Sequence, residues 1–533
     1  MREKRLRWLW LLLAVCLALS GCGGQLPMEL DEGEDKTPWQ EAEEEQSGEE
    51  NTDPGIDHFA LAYHEGQTLD PITCSDGAQL QLTTLLYEPL FRLDGSFHPQ
   101  QVLCTGYSVS EDGLVYTLTI RQGVAFSDGS TLEADDAAES LRRAMASERY
   151  GSRLNGIRQV AARGSDTLVI TLSRPNSRLT ALLDIPVVKA GSEENGVPAG
   201  TGPYLFITSS EGAYLSANPD WWQGKTLPLE RIELVDAKDS DTVLYLFTSR
   251  EVQVYAIDLT QGGGALSGSL DTTEIPTATM QFLGINVRST ALQDQGLRQA
   301  LQLGIPRETV VEGYLSSHAL PAQFPISPVA AGYPAQLEAE YSLETYRQAL
   351  AALWSGAERE SAELTLLVNG DSPSKTAIAQ YLAQSLSVEG MCQVSVEALA
   401  WTEYLQALAS GDFDLYYGEV RLTADWDISA LIGTGGALNY GGWSATDTDA
   451  MLEACRAGGE GAEQNLYQHL REAVPLIPIC FKNDSLLTHS GTVENEQPTA
   501  ADIFYNFPDW RIYLSQSGQE KRGAWCIKRG PRF

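Results

Sequence analysis

Several signatures of catalysis and metal binding are missing from this 533-residue chain. Its six histidines, at 58, 64, 98, 318, 469 and 489, are too scattered for a histidine-rich metal site. His64-Glu65 lacks the second histidine of a zinc-protease helix, because position 68 is Thr68. No GxSxG nucleophile elbow occurs. Gly224-Lys225-Thr226 looks like the end of a phosphate-binding loop, but Pro219 stands where the first cradle glycine belongs. Gly262-Gly263-Gly264 has no strand-glycine-helix context and reads as a loop. Eight cysteines include no CxxC pair and no zinc-type spacing. Positive charge is scarce, with 36 Lys and Arg against 72 Asp and Glu, a net charge of −36. Phosphate contact needs a basic patch, so this balance argues against nucleic-acid binding. The expectation is a non-enzyme with no cofactor and no resident metal.

Long apolar runs are scarce too, and the one present is at the start. Arg2, Lys4, Arg5 and Arg7 precede an apolar stretch from Trp8 to Leu19, and Leu19-Ser20-Gly21 leads into Cys22. The run has the length of a signal-peptide core and is short for a bilayer span. Small residues before a cysteine resemble the bacterial lipobox, where cleavage leaves that cysteine N-terminal and lipidated. Residues 1–22 are therefore expected to be a lipoprotein signal, with Cys22 as the lipidation site. That places the chain on the extracytoplasmic face of the bacterial cell membrane, held by lipid. Six cysteines remain beyond Cys22, and outside the cell disulfides are permitted in any of fifteen pairings.

Residues 23–56 are rich in Glu, Asp, Gly, Ser and Pro, and Asp31 to Asp53 alone contributes −10 of the net charge. Such a segment buries too little apolar surface to offset its ordering entropy, so it reads as an extended acidic tether. Residues 515–533 turn basic and glycine-containing and read as a disordered tail.

Between these ends the pattern is mixed α/β. Leu114 to Ile120 alternates with period two, which places Leu114, Tyr116, Leu118 and Ile120 on one strand face. Phe126-Ser127-Asp128-Gly129 reads as a turn, and Glu133 to Ala146 as a helix with acids at its positive end. Strands over Glu363 to Val368, Gln393 to Ala398 and Phe413 to Tyr417 alternate with helices over Ser374 to Val388 and Thr402 to Ala409. This alternation predicts βαβ units and a largely parallel sheet.

One ordered set of motifs runs through the body. It comprises Leu69-Asp70-Pro71, Tyr87-Glu88-Pro89-Leu90-Phe91 and Arg121-Gln122-Gly123-Val124-Ala125-Phe126-Ser127-Asp128-Gly129. Gly200-Thr201-Gly202-Pro203-Tyr204, Asn218-Pro219-Asp220-Trp221-Trp222 and Phe282-Leu283-Gly284-Ile285-Asn286 follow. In order and spacing the set resembles the family 5 extracellular solute-binding proteins, the peptide and nickel receptors of ABC importers, over roughly residues 57 to 514. Two departures are Ile305-Pro306-Arg307, where an acid before the arginine is usual, and Glu133, where a threonine cap is common.

The resemblance implies a two-lobe clamshell of the type II periplasmic-binding-protein class with an inserted subdomain. Lobe one would combine 57–283 with 484–514 and carry the insertion near 74–187; lobe two would be 284–483. It implies an oligopeptide ligand in the interlobe cleft, delivery to ABC permease subunits, and a monomeric receptor. A nickel chelate or other small solute, or a peptide-sensing role, is the alternative. The family's pocket maps here onto Ser75, Asp76 and Gly77 in one lobe. In the other it maps onto Tyr417, Arg421, Asp425, Trp426 and Asp427, with Asn439 and Tyr440. Asp425 or Asp427 would hold a peptide ammonium, or else cap the helix expected over Ile428 to Ile432.

Overall fold

Helix caps and strand alternation decide the local elements, as the computed structural model shows for residues 56–515 apart from Glu211, 262–265, 267 and 356–360. Cys22, residues 23–55 of the expected tether and residues 516–533 of the expected tail lie outside the described residues, while Ile56 is buried and bridges to Leu514. The chain begins with β1 (Ala60–Tyr63) and α1 (Gly77–Leu86), then β2 (Cys104–Val109), β3 (Val115–Ile120), α2 (Ala134–Ala146), β4 (Ile157–Arg163) and β5 (Thr167–Leu172). Four strands follow: β6 (Tyr204–Ser209), β7 (Gly212–Ala217), β8 (Arg231–Asp236) and β9 (Val254–Ile257). Then come β10 (Leu270–Ile285), α3 (Gln295–Leu303), α4 (Arg307–Tyr314), β11 (Ala319–Pro321), β12 (Ala362–Asn369), α5 (Pro373–Leu386) and β13 (Cys392–Leu399). Further on are α6 (Trp401–Ser410), β14 (Leu415–Arg421), α7 (Ser429–Ile432), α8 (Thr446–Ala457), α9 (Ala462–Ala473) and β15 (Leu476–His489), before a short antiparallel pair, Val493–Glu494 with Arg511–Ile512.

The expected helices and strands form within a few residues of their predicted bounds. In β3, Tyr116, Leu118 and Ile120 are buried, as alternation requires, and Leu114 lies just ahead of the strand. At α2 the Asp136 carboxylate accepts from the Glu133 backbone N–H at 2.9 Å, so Glu133 starts the helix without a threonine. Among the described residues, Cys74, Cys104, Cys392, Cys455 and Cys480 are free thiols.

The sheets correct one expectation. One sheet has the order β1-β8-β7-β6, and a second, inserted between α1 and β6, is the antiparallel β2-β3-β5-β4. The third runs β9-β15-β10-β14-β12-β13, with β11 beside β15. Only β12 with β13 and β12 with β14 pair in parallel there; β9, β10 and β15 join antiparallel. The βαβ reading was right for residues 362–421, but the sheet is mixed because two long strands return through it without helical crossovers. Tyr416 and Tyr417 on β14 face opposite sides of this sheet, into two separate apolar cores.

The long strands β10 and β15 pair from Leu270↔His489 to Gly284↔Leu476, with the register broken between Pro276 and Met280. Proline has no N–H for the ladder, and here the Thr277 hydroxyl donates to the Lys482 carbonyl at 2.7 Å. At the break the Lys482 ammonium donates to Asp258, just after β9, and lies 3.6 Å from Glu419 on β14. Lys375 sits 3.0 Å from the same Glu419, and Gln281 donates to it at 2.9 Å.

The recurring motifs interlock through Glu88. Its carboxylate, fully buried, accepts from Trp221 Nε1 (3.2 Å), Trp222 Nε1 (2.6 Å), Gln223 Nε2 (2.9 Å) and the Thr201 hydroxyl (2.9 Å). Gly202 packs so closely that a Cβ there would lie 2.5 Å from the Leu86 carbonyl carbon. Arg121 covers the Trp222 ring at 4.4 Å, and Asp70 is ion-paired with Arg143.

Two outcomes follow from these contacts. Glu88→Gln is isosteric, yet in either amide orientation its NH2 meets an indole N–H. It should lower the unfolding free energy by about 1–3 kcal/mol; a urea midpoint equal to that of the parent chain would contradict this. For Glu419, burial raises the carboxyl, but Gln281, Lys482 and Lys375 outweigh it and hold it below its ordinary 4.5. A depressed folded pKa makes this contribution complete above 4.5 and lost as pH falls below it. Stability measured at about pH 6 and about pH 3.5 should therefore drop less in Glu419→Gln than in the parent. Equal drops would contradict it.

Candidate functional site

A cavity of ≈ 390 Å³ opens between the inserted sheet and the segment that follows β14. One wall comes from 152–157 and from 172–182 after β5; the other comes from 420–431 and 437–438, with Arg456 of α8. Its size falls in the range of small-molecule sites. Four guanidinium groups line it (Arg153, Arg174, Arg421 and Arg456) against two carboxylates, Asp425 and Asp427. Arg153 is paired with Asp184, and Arg456 and Arg174 lie 3.3 and 3.6 Å from Asp427. Arg421, at the end of β14, is exposed and forms no ion pair among the described residues. In this recess of a net-acidic chain, Arg421 is thus left without an ion pair among the described residues.

Across the same recess, the loop after β5 touches the second wall directly. Asn176 Nδ2 donates to Asp425 Oδ2 at 2.9 Å, and the Ser177 N–H donates to the Arg456 carbonyl at 2.7 Å. Arg178 is ion-paired with Glu463. Gly458 takes φ +74°, and a Cβ there would lie 2.7 Å from Ser177 Cβ, so this crossing needs glycine. Trp426, between the two acids, also has left-handed backbone at φ 56°. Its ring is held edge-on by Phe97 at 5.1 Å and Phe481 at 6.1 Å.

The residues expected at a ligand site divide into three groups. Arg421, Asp425 and Asp427 line the cavity, with Trp426 packed behind them. Asp427 also accepts from the Ser429 N–H at 2.9 Å at the start of α7, whereas Asp425 bonds across to Asn176. One acid therefore serves the helix start and the other faces the opposite wall. Asn439 shapes the wall indirectly: it donates to the Gly433 and Trp443 carbonyls and accepts from the Trp443 N–H.

Tyr417, Tyr440, Ser75, Asp76 and Gly77 do not line this cavity. Tyr417 is buried under the helices, where its hydroxyl donates to Gln281 at 2.7 Å. Tyr440 packs edge-on against Tyr416, and its carbonyl accepts from Arg288. Asp76 caps α1, accepting from the Gln79 N–H at 3.0 Å, and lies 2.9 Å from His64 Nδ1. Leu80, Gln81 and Thr84 of α1 instead line a smaller cavity of ≈ 250 Å³ with Arg149, Asp258 and Asp484. Arg174 and Asn176 had no local signal in the sequence; a cation and an amide around Pro175 read as an ordinary loop.

Known proteins place this architecture. Residues 98–435 match the bacterial extracellular solute-binding proteins, family 5, middle region. The glutathione-binding protein GsiB of Salmonella paratyphi A is 28% identical over 278 residues, covering 49% of this chain and 54% of that protein. The chain thus spans about half the length of the first curated relatives it matches. GsiB of Escherichia coli O1:K1 aligns more widely, at 25% identity over 451 residues, 77% of this chain and 86% of that one. The structure of HbpA2 from Haemophilus parasuis superposes with a TM-score of 0.71 at 20% identity, over 86% of this chain and 100% of that one. The fold is the two-lobe type II clamshell of that class. With its mixed long-strand sheet, its inserted antiparallel sheet and its matching middle region, the chain belongs to family 5 of the bacterial extracellular solute-binding proteins.

Proposed function

We propose that the chain is a lipid-anchored receptor that captures short peptides carrying more than one carboxylate and delivers them to an ABC importer. The guanidinium-rich cavity carries this reading. Arg421 is free to take a carboxylate bidentately, and a second carboxylate can draw Arg174 or Arg456 from Asp427. Asp425, opposite Asn176, suits a peptide ammonium. Glutathione, named for the GsiB relatives, is a tripeptide with two carboxylates and one ammonium. A cavity of ≈ 390 Å³ favours ligands of that size over long peptides.

Closure of the cleft would use the register break in β10 and β15 as its hinge, near the expected crossings at 283 and 484. β9 pairs with β15 on one side of the break, and β14 pairs with β10 on the other. A ligand touching both walls of the cavity favours the state that brings them together. Lipid at Cys22 and the acidic tether would keep the receptor near its permease.

Calorimetry on the purified protein tests the ligand class. Glutathione or a short glutamyl peptide should bind with micromolar affinity, about −8 kcal/mol. Arg421→Ala and Asp425→Ala should each weaken it about tenfold or more, equivalent to about 1.4 kcal/mol. Unchanged affinity in both variants, or binding of nickel–histidine in preference to every peptide, would overturn the reading. Mass spectrometry of co-purifying solute identifies the cargo directly. Cys22→Ser should move the protein from the membrane fraction to the medium, and continued membrane retention would remove the lipid anchor.

A further inference from the structure

Two arginines near the starts of α3 and α4 are equally buried and differently satisfied. Arg298 is 6% exposed, and all three of its guanidinium nitrogens have acceptors. Nε and Nη2 donate to the Ala473 carbonyl at 3.0 and 2.9 Å, and Nη1 donates to the Leu292 and Gln293 carbonyls at 2.9 and 3.0 Å. That is a structural arginine.

Arg307 is also 6% exposed, yet its bonds run only from Nε, to the Ala322 carbonyl at 3.0 Å and the Pro478 carbonyl at 2.9 Å. Both carbonyls share the single Nε–H, which leaves the two Nη groups with no hydrogen bond among the described residues. The residue forms part of the wall of a cavity of ≈ 420 Å³. Arg307 makes no ion pair among the described residues. Glu338, one of the acids whose field it feels, has its carboxylate engaged by the Tyr333 hydroxyl. Burial lowers the Arg307 pKa to about 10, so the group stays charged at neutral pH. A buried charge is ordinarily paired, because desolvation is otherwise uncompensated.

The rest of the cavity has a matching polarity. Gln299 and Gln302 of α3 donate to the Glu472 and Arg471 carbonyls at 2.7 and 3.0 Å, which fixes both amides and leaves their oxygens as acceptors. Glu340, Glu472 and Arg471, all exposed, add two carboxylates and one cation to the lining. None of the residues lining it lines the interlobe cavity. The combination is a buried cation whose Nη groups make no hydrogen bond among the described residues, with amide acceptors and exposed acids. It fits a carboxylate that also carries N–H donors.

We propose that this cavity is a second ligand site that takes a free amino acid, with its carboxylate on Arg307 and its ammonium toward Glu340 and Glu472. The site is independent of the peptide reading above. The test is calorimetry on the full chain with L-glutamine as probe and sodium acetate as control, repeated with glutathione present. L-glutamine should bind saturably at one per chain, about tenfold or more tighter than acetate, and glutathione should leave it in place. Arg307→Gln should weaken L-glutamine about tenfold or more. If that variant fails to fold, Glu340→Lys decides: its side chain is exposed, and the reversed charge should weaken L-glutamine about threefold while sparing acetate. No saturable binding up to about 10 mM would make Arg307 structural only. Displacement by glutathione, or equal affinity in the variants that fold, would assign the amino acid to the interlobe cavity and overturn the second site.

Discussion

The pairing of β10 with β15 is the constraint on which the rest of the molecule depends. These two strands cross the sheet for 16 and 14 residues, and every other part of it attaches to one of them directly or through β14. Their ladder is interrupted once over several residues, between Pro276 and Met280, where a missing proline N–H and the Thr277 side chain replace regular bonding. Lys482 sits at that interruption between Asp258 and Glu419. The strand that ends in Arg421 pairs with β10 over an unbroken ladder from Thr279 to Ile285, starting at the end of the break, and its Glu419 joins the ion-pair cluster. The break adjoins the wall of the Arg421 cavity directly, because the N–H of Leu422, which lines that cavity, donates to the Ala278 carbonyl within the break.

The motifs that make the chain recognisable do other work. Glu88, Thr201, Trp221, Trp222 and the glycines at 200 and 202 are fasteners, binding α1, the loop before β6 and the loop after β7 to one another. A buried carboxylate with four donors tolerates few replacements. Loops such as 174–178 and 421–427 meet solvent on one side and a recess on the other, and are freer to differ. The most distinctive sequence signal therefore reports architecture.

Charge acts locally here, against the average. A net charge of −36 gives an acidic exterior, whereas the cavity between the inserted sheet and the segment after β14 carries four guanidinium groups against Asp425 and Asp427. Screening over roughly 8–10 Å confines the exterior field, so a recess this size answers to its own lining. Arg298 and Arg307 show the same locality on a smaller scale: equal burial, opposite degrees of satisfaction.

Much of the architecture was legible in the sequence because it rests on local rules. Period-two alternation predicted β3, acid-rich starts predicted α2, and strand-helix alternation predicted the unit from β12 to β14. The motif order carried the family. Strand direction in the long sheet was not legible, because β10 and β15 are remote in sequence and their pairing is a tertiary choice. The candidate site divides the same way. Arg421, Asp425 and Asp427 stand in one segment after one strand and were found together. Tyr417 lies off this cavity because adjacent strand residues face opposite sides, and Asp76 because its carboxylate satisfies N–H groups at a helix start. The sequence by itself determined the elements, the fasteners and the acids after β14. Only the tertiary structure brought Arg174 and Asn176 across to them, since contact over some 250 positions is set by how sheets pack, which no local pattern encodes.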